Sequence, residues 1–193
     1  MSSKREALID AAKDLLWERG YEAMSPKAVL RASGAGQGSL YHHFEGKRDL
    51  AATALEETGA QLRENFDKYL DPNKTPLKRL EAYLDTPREA LKGCRFGRLA
   101  NEQIVTDPVL NPIMLTFFTY LEGRLAATVR EAQKAGELPA SLKPKDTAMM
   151  LGAIVQGGYV MSRVHQDPAA FKQAIRGAKT ALHALAASSQ NSV

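Results

Sequence analysis

The stretch SPKAVLRASGAGQGSLYHHFEGKRDL, residues 25–50, decides how this chain reads. Ser25 is an N-cap residue type, and Pro26 stands at the first helical position, where its fixed φ suits a helix and its missing N–H is no loss. Ala28, Val29 and Ala32 then recur at helical spacing and are expected to bury one side, up to Gly34, which can take the positive φ of a helix C-terminus. A second helix is expected from Gln37 to Phe44, with Leu40, Phe44 and the Tyr41 ring turned inward and Gln37, Ser39 and His42 facing out. That piece is too short to stand alone and must be held across its neighbour. Two short helices joined by a glycine turn outline a helix-turn-helix, whose second helix suits a DNA major groove.

Working outward, Ser3 and Glu6 have capping-box spacing ahead of Ala7, Leu8, Ala11, Ala12, Leu15 and Leu16, so a first helix is expected to run to Arg19 and stop at Gly20. Gly46 leads into a helix over 47–70, ended by Asp71-Pro72-Asn73. Thr75-Pro76 starts another, interrupted at Asp85-Thr86-Pro87 by the effect of proline on the residue before it. Further helices are expected from Cys94 to Val105, from Asp107-Pro108 to Ala135 with Pro112 kinking or dividing it, from Asp146 as cap to His165, and from Asp167-Pro168 to Ala187. No strand-like alternation of useful length occurs. The expected fold is all-α with about nine helices: a three-helix helix-turn-helix head and a larger helical body. The expected division is a DNA-binding domain over 1–48, a ligand-binding and dimerisation domain over 49–187 and a flexible tail over 188–193.

A chain of 193 residues with 44% hydrophobic content has ample material for a core. Its net charge of +4 is compatible with nucleic acid without requiring it. Residues 1–60 hold eight Lys and Arg against nine Asp and Glu, so any DNA footprint must be local. Lys27, Arg31, His42, His43, Lys47 and Arg48 supply such a patch, while Asp10, Asp14 and Glu18 fall on the outer face of the first helix. One cysteine allows no internal disulfide, the N-terminal segment is amphipathic rather than an apolar leader, and the nearly uncharged stretch 147–162 is too short and polar for a membrane span. A cytoplasmic location is expected, with no membrane partner. No catalytic triad order, metal-ligand spacing, phosphate loop or dinucleotide fingerprint is visible, so neither an enzyme, a cofactor nor a bound metal is expected.

The run G-x-G-Q-G-S-L-Y-H-H-F-E-G-K-R-D-L, preceded by W-E-R-G-Y-E-A-M-S, resembles the N-terminal DNA-binding domain of the TetR/AcrR family of bacterial transcriptional regulators over residues 6–55. Beyond residue 60 the resemblance is to the family's general plan of an all-helical ligand-binding and dimerising domain. Two departures stand out: Gly36 occupies a position that usually holds Ser or Thr, and Ala35 one that usually holds a larger apolar residue. The recognition helix is therefore expected to be weakly capped.

From the residues, Gln37 is best placed for a bidentate contact to adenine, with Ser39 and His42 nearer phosphate. Ser25 and Lys27, at the start of the preceding helix, are further candidate DNA contacts, and Gly38 leaves room for close approach of DNA or of the preceding helix. The resemblance implies that Tyr41, His42 and Lys47 make backbone contacts, Lys47 also opening a helix whose first amides attract phosphate. In the body, Tyr83, Phe96, Met114, Phe117, Phe118, Met150 and Tyr159 are aromatic and Met residues beyond what a bundle of this size needs; with Gln156 they are the expected lining of a pocket for a small, mainly apolar effector. An ordinary packed core is the competing reading. Leu151, Val155, Phe171, Ala174, Ile175, Ala178 and Leu182, interleaved with small residues on the last two helices, are the expected homodimer interface, because two coupled recognition helices are needed for useful specificity over bulk DNA. Cys94, expected at a helix start beside Lys92, Arg95 and Arg98, is a candidate electrophile sensor.

The function expected is that of a homodimeric repressor released from a palindromic operator by a small-molecule effector. Its alternatives are a helical ligand-binding module that no longer binds DNA and a thiol-sensing repressor acting through Cys94.

Overall fold

A computed structural model describes residues 3–190, with side chains placed over 3–188. Among the described residues there are eight α-helices: α1 Lys4–Arg19, α2 Pro26–Ser33, α3 Gln37–His43, α4 Lys47–Tyr69, α5 Pro76–Asp85, α6 Leu110–Lys134, α7 Pro144–His165 and α8 Ala169–Gln190. Between α5 and α6 lie two 3-10 turns, Gly97–Asn101 and Gln103–Thr106. The all-α class is as expected and the count of nine is not, because the helix expected over 94–105 does not form.

Two compact units divide the chain. The first comprises residues 1–62 and 94–117, the second 63–93 and 118–193. In the first, α1 packs on α2 and α3, and α2 on α3. The Ser3 hydroxyl accepts from the Glu6 N–H at 3.2 Å, and the Glu6 carboxylate accepts from the Ser3 N–H at 2.7 Å, completing the expected capping box. Ser25 caps α2 by accepting from the Ala28 N–H at 3.1 Å, and Gly34 ends it at φ 68°. Leu8, Ile9, Ala12, Leu16, Met24 and Val29 are buried, but Ala32 is exposed, so α2 faces inward along the side of Val29.

The 94–117 segment folds with this unit although it follows the body helix α5. Gly93 takes φ 88°, and the chain then turns in i→i+3 steps: Leu99 N–H to the Phe96 carbonyl, Glu102 to Leu99, Val105 to Glu102 and Asp107 to Ile104. Glu102 is extended, at ψ 164°, which breaks any continuous helix there. Phe96 and Phe117 meet edge to face with centroids 5.5 Å apart. α6 begins at Leu110, capped by Asp107, whose Oδ1 accepts from the N–H groups of Val109 and Leu110 at 2.8 and 3.0 Å. Pro112 therefore sits in the first turn of α6, where its lack of an N–H is harmless, and it does not divide the helix.

In the second unit α7 packs on α8, and α5 on α8. Phe66, Leu80, Leu84, Leu125, Val129, Leu151, Val155 and Leu182 are buried. Gly158 is needed at the α7–α8 crossing: a Cβ there would stand 2.9 Å from the Phe171 ring. α7 starts at Pro144 with Lys143 as cap residue, so Asp146 lies in the first turn, where its charge favours the helix dipole, and does not cap it. Of the expected tail, Ser188 belongs to α8 and residues 191–193 lie outside the described residues.

Candidate nucleic-acid interface

α3 is a seven-residue helix carried by Leu40, which is fully buried, and by Phe44 just beyond its end. Gly36 is its N-cap residue and no side chain caps it. Gln37, Tyr41, His42 and His43 are exposed, as are Lys27 and Arg31 on α2. Tyr41 is 56% exposed, so its ring does not lie on the inner side as the spacing suggested. A seven-residue helix has room for one inward residue per turn, and Leu40 takes that place. Ser39 is the opposite correction: its hydroxyl is enclosed and has no hydrogen-bond partner among the described residues, instead of facing out beside Gln37. A Cβ at Gly36 or at Gly38 would meet nothing within 4 Å, so the room at Gly38 opens to solvent and not toward α2. Ser25 spends its hydroxyl on the α2 cap.

Lys47 is not a free cation at the head of α4. Its Nζ donates to the Glu22 carbonyl at 3.4 Å and lies 4.3 Å from the centre of the Tyr21 ring, and burial lowers its pKa. It braces the α1–α2 connection. Sequence reasoning missed the rest of this brace because its partners are 80 residues apart. The Glu102 carboxylate accepts from the Glu22 N–H at 2.8 Å, and the Glu22 carboxylate accepts from the Gln103 N–H at 3.5 Å. Arg48 donates through Nε and a terminal nitrogen to Asp107 Oδ1 at 3.2 and 2.9 Å. The Leu110 amide first, then the Val109 amide and Arg48, hold the Asp107 carboxyl below the usual carboxylate range against the opposing effect of desolvation. The Arg95 guanidinium lies 3.9 Å from the centre of the Trp17 ring. The surface of α3 thus has open polar positions, while the base of the unit is internally paired.

Residues 8–54 match the family described as "Bacterial regulatory proteins, tetR family", and residues 76–178 match "Tetracyclin repressor-like, C-terminal domain". The chain belongs to the TetR family. Like its relatives it is a transcriptional regulator: it is 26% identical over 174 residues to the transcriptional regulator AcuR of Cereibacter sphaeroides, covering 86% of this chain and 80% of AcuR. It is 25% identical over 166 residues to the transcriptional repressor DhaR of Mycobacterium sp. strain GP1, covering 84% of each. The crystal structure of a regulatory protein TetR from Rhodobacter sphaeroides superposes with a TM-score of 0.82 at 25% identity, over 94% of this chain and 99% of that one.

The remaining expected sites of this TetR-family chain fall as follows. Phe96, Met114 and Phe117 are buried in the first unit, whereas Tyr83, Phe118, Met150, Gln156 and Tyr159 belong to the second. Met150 is 40% exposed and so departs from the expected lining, and none of the eight lines either of two cavities of the second unit, one between the end of α5 and α8 and the other between the end of α4 and α5. Leu151, Val155, Phe171, Ile175, Ala178 and Leu182 are buried and Ala174 is half-buried within the single chain. They pack the protomer and are not an outer face. The exposed apolar face is on the other side of α7, at Met149, Val160, Met161 and Val164 with Ala153 and Gly157. Cys94 is half-buried and precedes a 3-10 turn, so the α-helix start invoked to activate its thiol is absent. Among the described residues no group of three or more His, Cys, Asp or Glu is placed to hold a metal ion, and no helix is long and apolar enough to cross a membrane.

Proposed function

We propose that this chain is a cytoplasmic homodimeric repressor that reads a palindromic DNA operator with one α3 per half-site and releases it when a small-molecule effector binds the helical body. The observation that carries the reading is the outer face of α3: Gln37, Tyr41 and His42 are exposed on it, with open space at Gly36 and Gly38, and Lys27 is exposed on the preceding helix. An exposed Gln on a short helix suits a bidentate adenine contact, and Tyr41 and His42 suit the flanking phosphates. Lys47 contributes by fixing the start of α4 rather than by contacting phosphate. DhaR is a transcriptional repressor, which supports repression over activation. The functional division remains a DNA-reading head over 1–48 and a body from residue 49.

Dimerisation is assigned to the exposed face of α7, which places Met149, Ala153, Gly157, Val160 and Val164 at helical spacing along one side. Such a face is self-complementary across a two-fold axis. The decisive experiment is selection of duplexes from a random pool by the purified chain, followed by titration of the recovered site at several salt concentrations. A palindrome is expected, with affinity falling steeply with salt, and Gln37→Ala costing about tenfold or more at one base position. Sedimentation is expected to give a dimer that Val160→Glu dissociates. Recovery of no preferred sequence together with salt-insensitive binding would leave only the ligand-binding module.

A further inference from the structure

A cavity of about 610 Å³ lies in the second unit, between the end of α5 with the loop after it and α8. Its volume is that of a small-molecule site. Leu84, Ala90, Phe171 and Ile175 form its apolar wall, each buried against the protein behind. Its charged residues are unbalanced: Arg88, Lys172, Arg176 and Lys179 against the single carboxylate of Asp85. That carboxylate is already taken, since Lys179 donates to it at 2.5 Å. Arg88 is also fixed, donating to the carbonyls of Tyr83, Leu84 and Thr86 and lying over the rings of Tyr83 and Phe171. Lys172 and Arg176 differ. They stand one turn apart on α8, on the same side, exposed at the rim, and no carboxylate pairs with either among the described residues.

We propose that this cavity binds an organic anion with an apolar body, of the medium-chain carboxylate or alkyl phosphate class. The body lies on Leu84, Phe171 and Ile175, and the anionic head is held between Lys172 and Arg176. The guanidinium fork of Arg176 matches either a carboxylate or a phosphate, and the ammonium of Lys172 adds a point charge to the same head. Arg88 cannot take the head, because its donors are committed to the end of α5. It instead gives the wall a fixed positive background that disfavours cationic ligands and leaves neutral ones without a head contact. The lining includes no residue of α3 and none of the α7 face proposed for dimerisation.

The test is calorimetric titration of the whole chain, without DNA, with octanoate, octyl phosphate and octanol. At least one anion is expected to bind once per chain and about tenfold or more tighter than octanol; whichever anion does so identifies the head group. The double variant Lys172→Glu with Arg176→Glu is expected to lose about tenfold or more of that affinity while its circular dichroism is unchanged. Should that variant unfold, Thr180→Trp, on the exposed rim, keeps every charge and fills the cavity, and the same loss is expected. Equal binding of octanol and the anions, unchanged affinity in the variants, or no saturable uptake of either anion overturns the proposal. None of these results bears on whether α3 reads DNA.

Discussion

Two short helical pieces of the first unit are fastened in opposite ways. α3 has regular geometry but slender support: one buried residue within it, one just after it, and no cap at Gly36. The 97–106 segment is irregular in backbone yet tied by its polar groups, through Glu102 to the Glu22 amide and through Gln103 to the Glu22 carboxylate, with Arg48 gripping Asp107 just beyond it. Regular secondary structure and firm attachment are therefore separate properties. A surface kept for an outside partner leaves its polar capacity open, whereas an internal brace uses that capacity up, and burial of backbone polar groups makes the second obligatory.

The sharpest way to break this contrast is Leu40→Ala, which removes the one buried residue within α3. A loss of about 3 kcal/mol in urea unfolding is expected, and an unchanged midpoint would mean that α3 is held by something other than its apolar anchor. Gly20→Ala attacks the brace instead. Gly20 has φ 86° and ψ 174°, a conformation only glycine adopts readily, and an added Cβ would lie 1.9 Å from Glu102 Oε1. About 2 kcal/mol of destabilisation is expected, part of it recovered in combination with Glu102→Ala, which clears the steric share but not the backbone strain.

Acid sharpens the comparison further, because the brace has a carboxylate at its centre and α3 has none. The folded-state pKa of Asp107 is depressed, chiefly by the Leu110 amide, so its contribution is full above about pH 4, the ordinary value for Asp, and is lost as pH falls through the folded value. Asp107→Asn is expected to flatten the acid limb of stability measured by circular dichroism, and a limb of the same slope would remove Asp107 from the account. The smallest effect is expected at α3 itself. Gly36 has φ −72° and ψ 154° with open space around it, so Gly36→Ser restores a cap without strain. The gain is a few tenths of a kcal/mol by the roughly equal ranking of Gly and polar caps.

Much of the first unit was legible from residue 3 to residue 50, because caps, glycines and apolar spacing there act within a few residues of one another. Ser3 with Glu6, Ser25 with Pro26, and Gly20 and Gly34 as helix ends all specify their neighbours locally. Spacing alone places Tyr41 inside and Ser39 outside, contrary to the structure, because a seven-residue helix gives too few turns for periodicity to separate inside from outside. The 94–105 span departs from expectation for a different reason: the backbone is extended at Glu102, whose side-chain carboxylate accepts from the Glu22 N–H, a partner that local spacing cannot reveal. The last two helices interleave apolar with small residues along their length. Which side packs inward depends on the crossing at Gly158 against Phe171, a tertiary fact, and the expected interface consequently landed on the inner face.

Asp107 Oδ1 is a shared acceptor: the first amides of α6 and the guanidinium at the start of α4 all converge on one atom. Fraying of α6 at its first turn and release of Arg48 are thus linked equilibria, and whatever biases one must bias the other by the same free energy. A change of a single bond length at that oxygen is felt by two long helices at once, with no intervening chain of side chains to carry it.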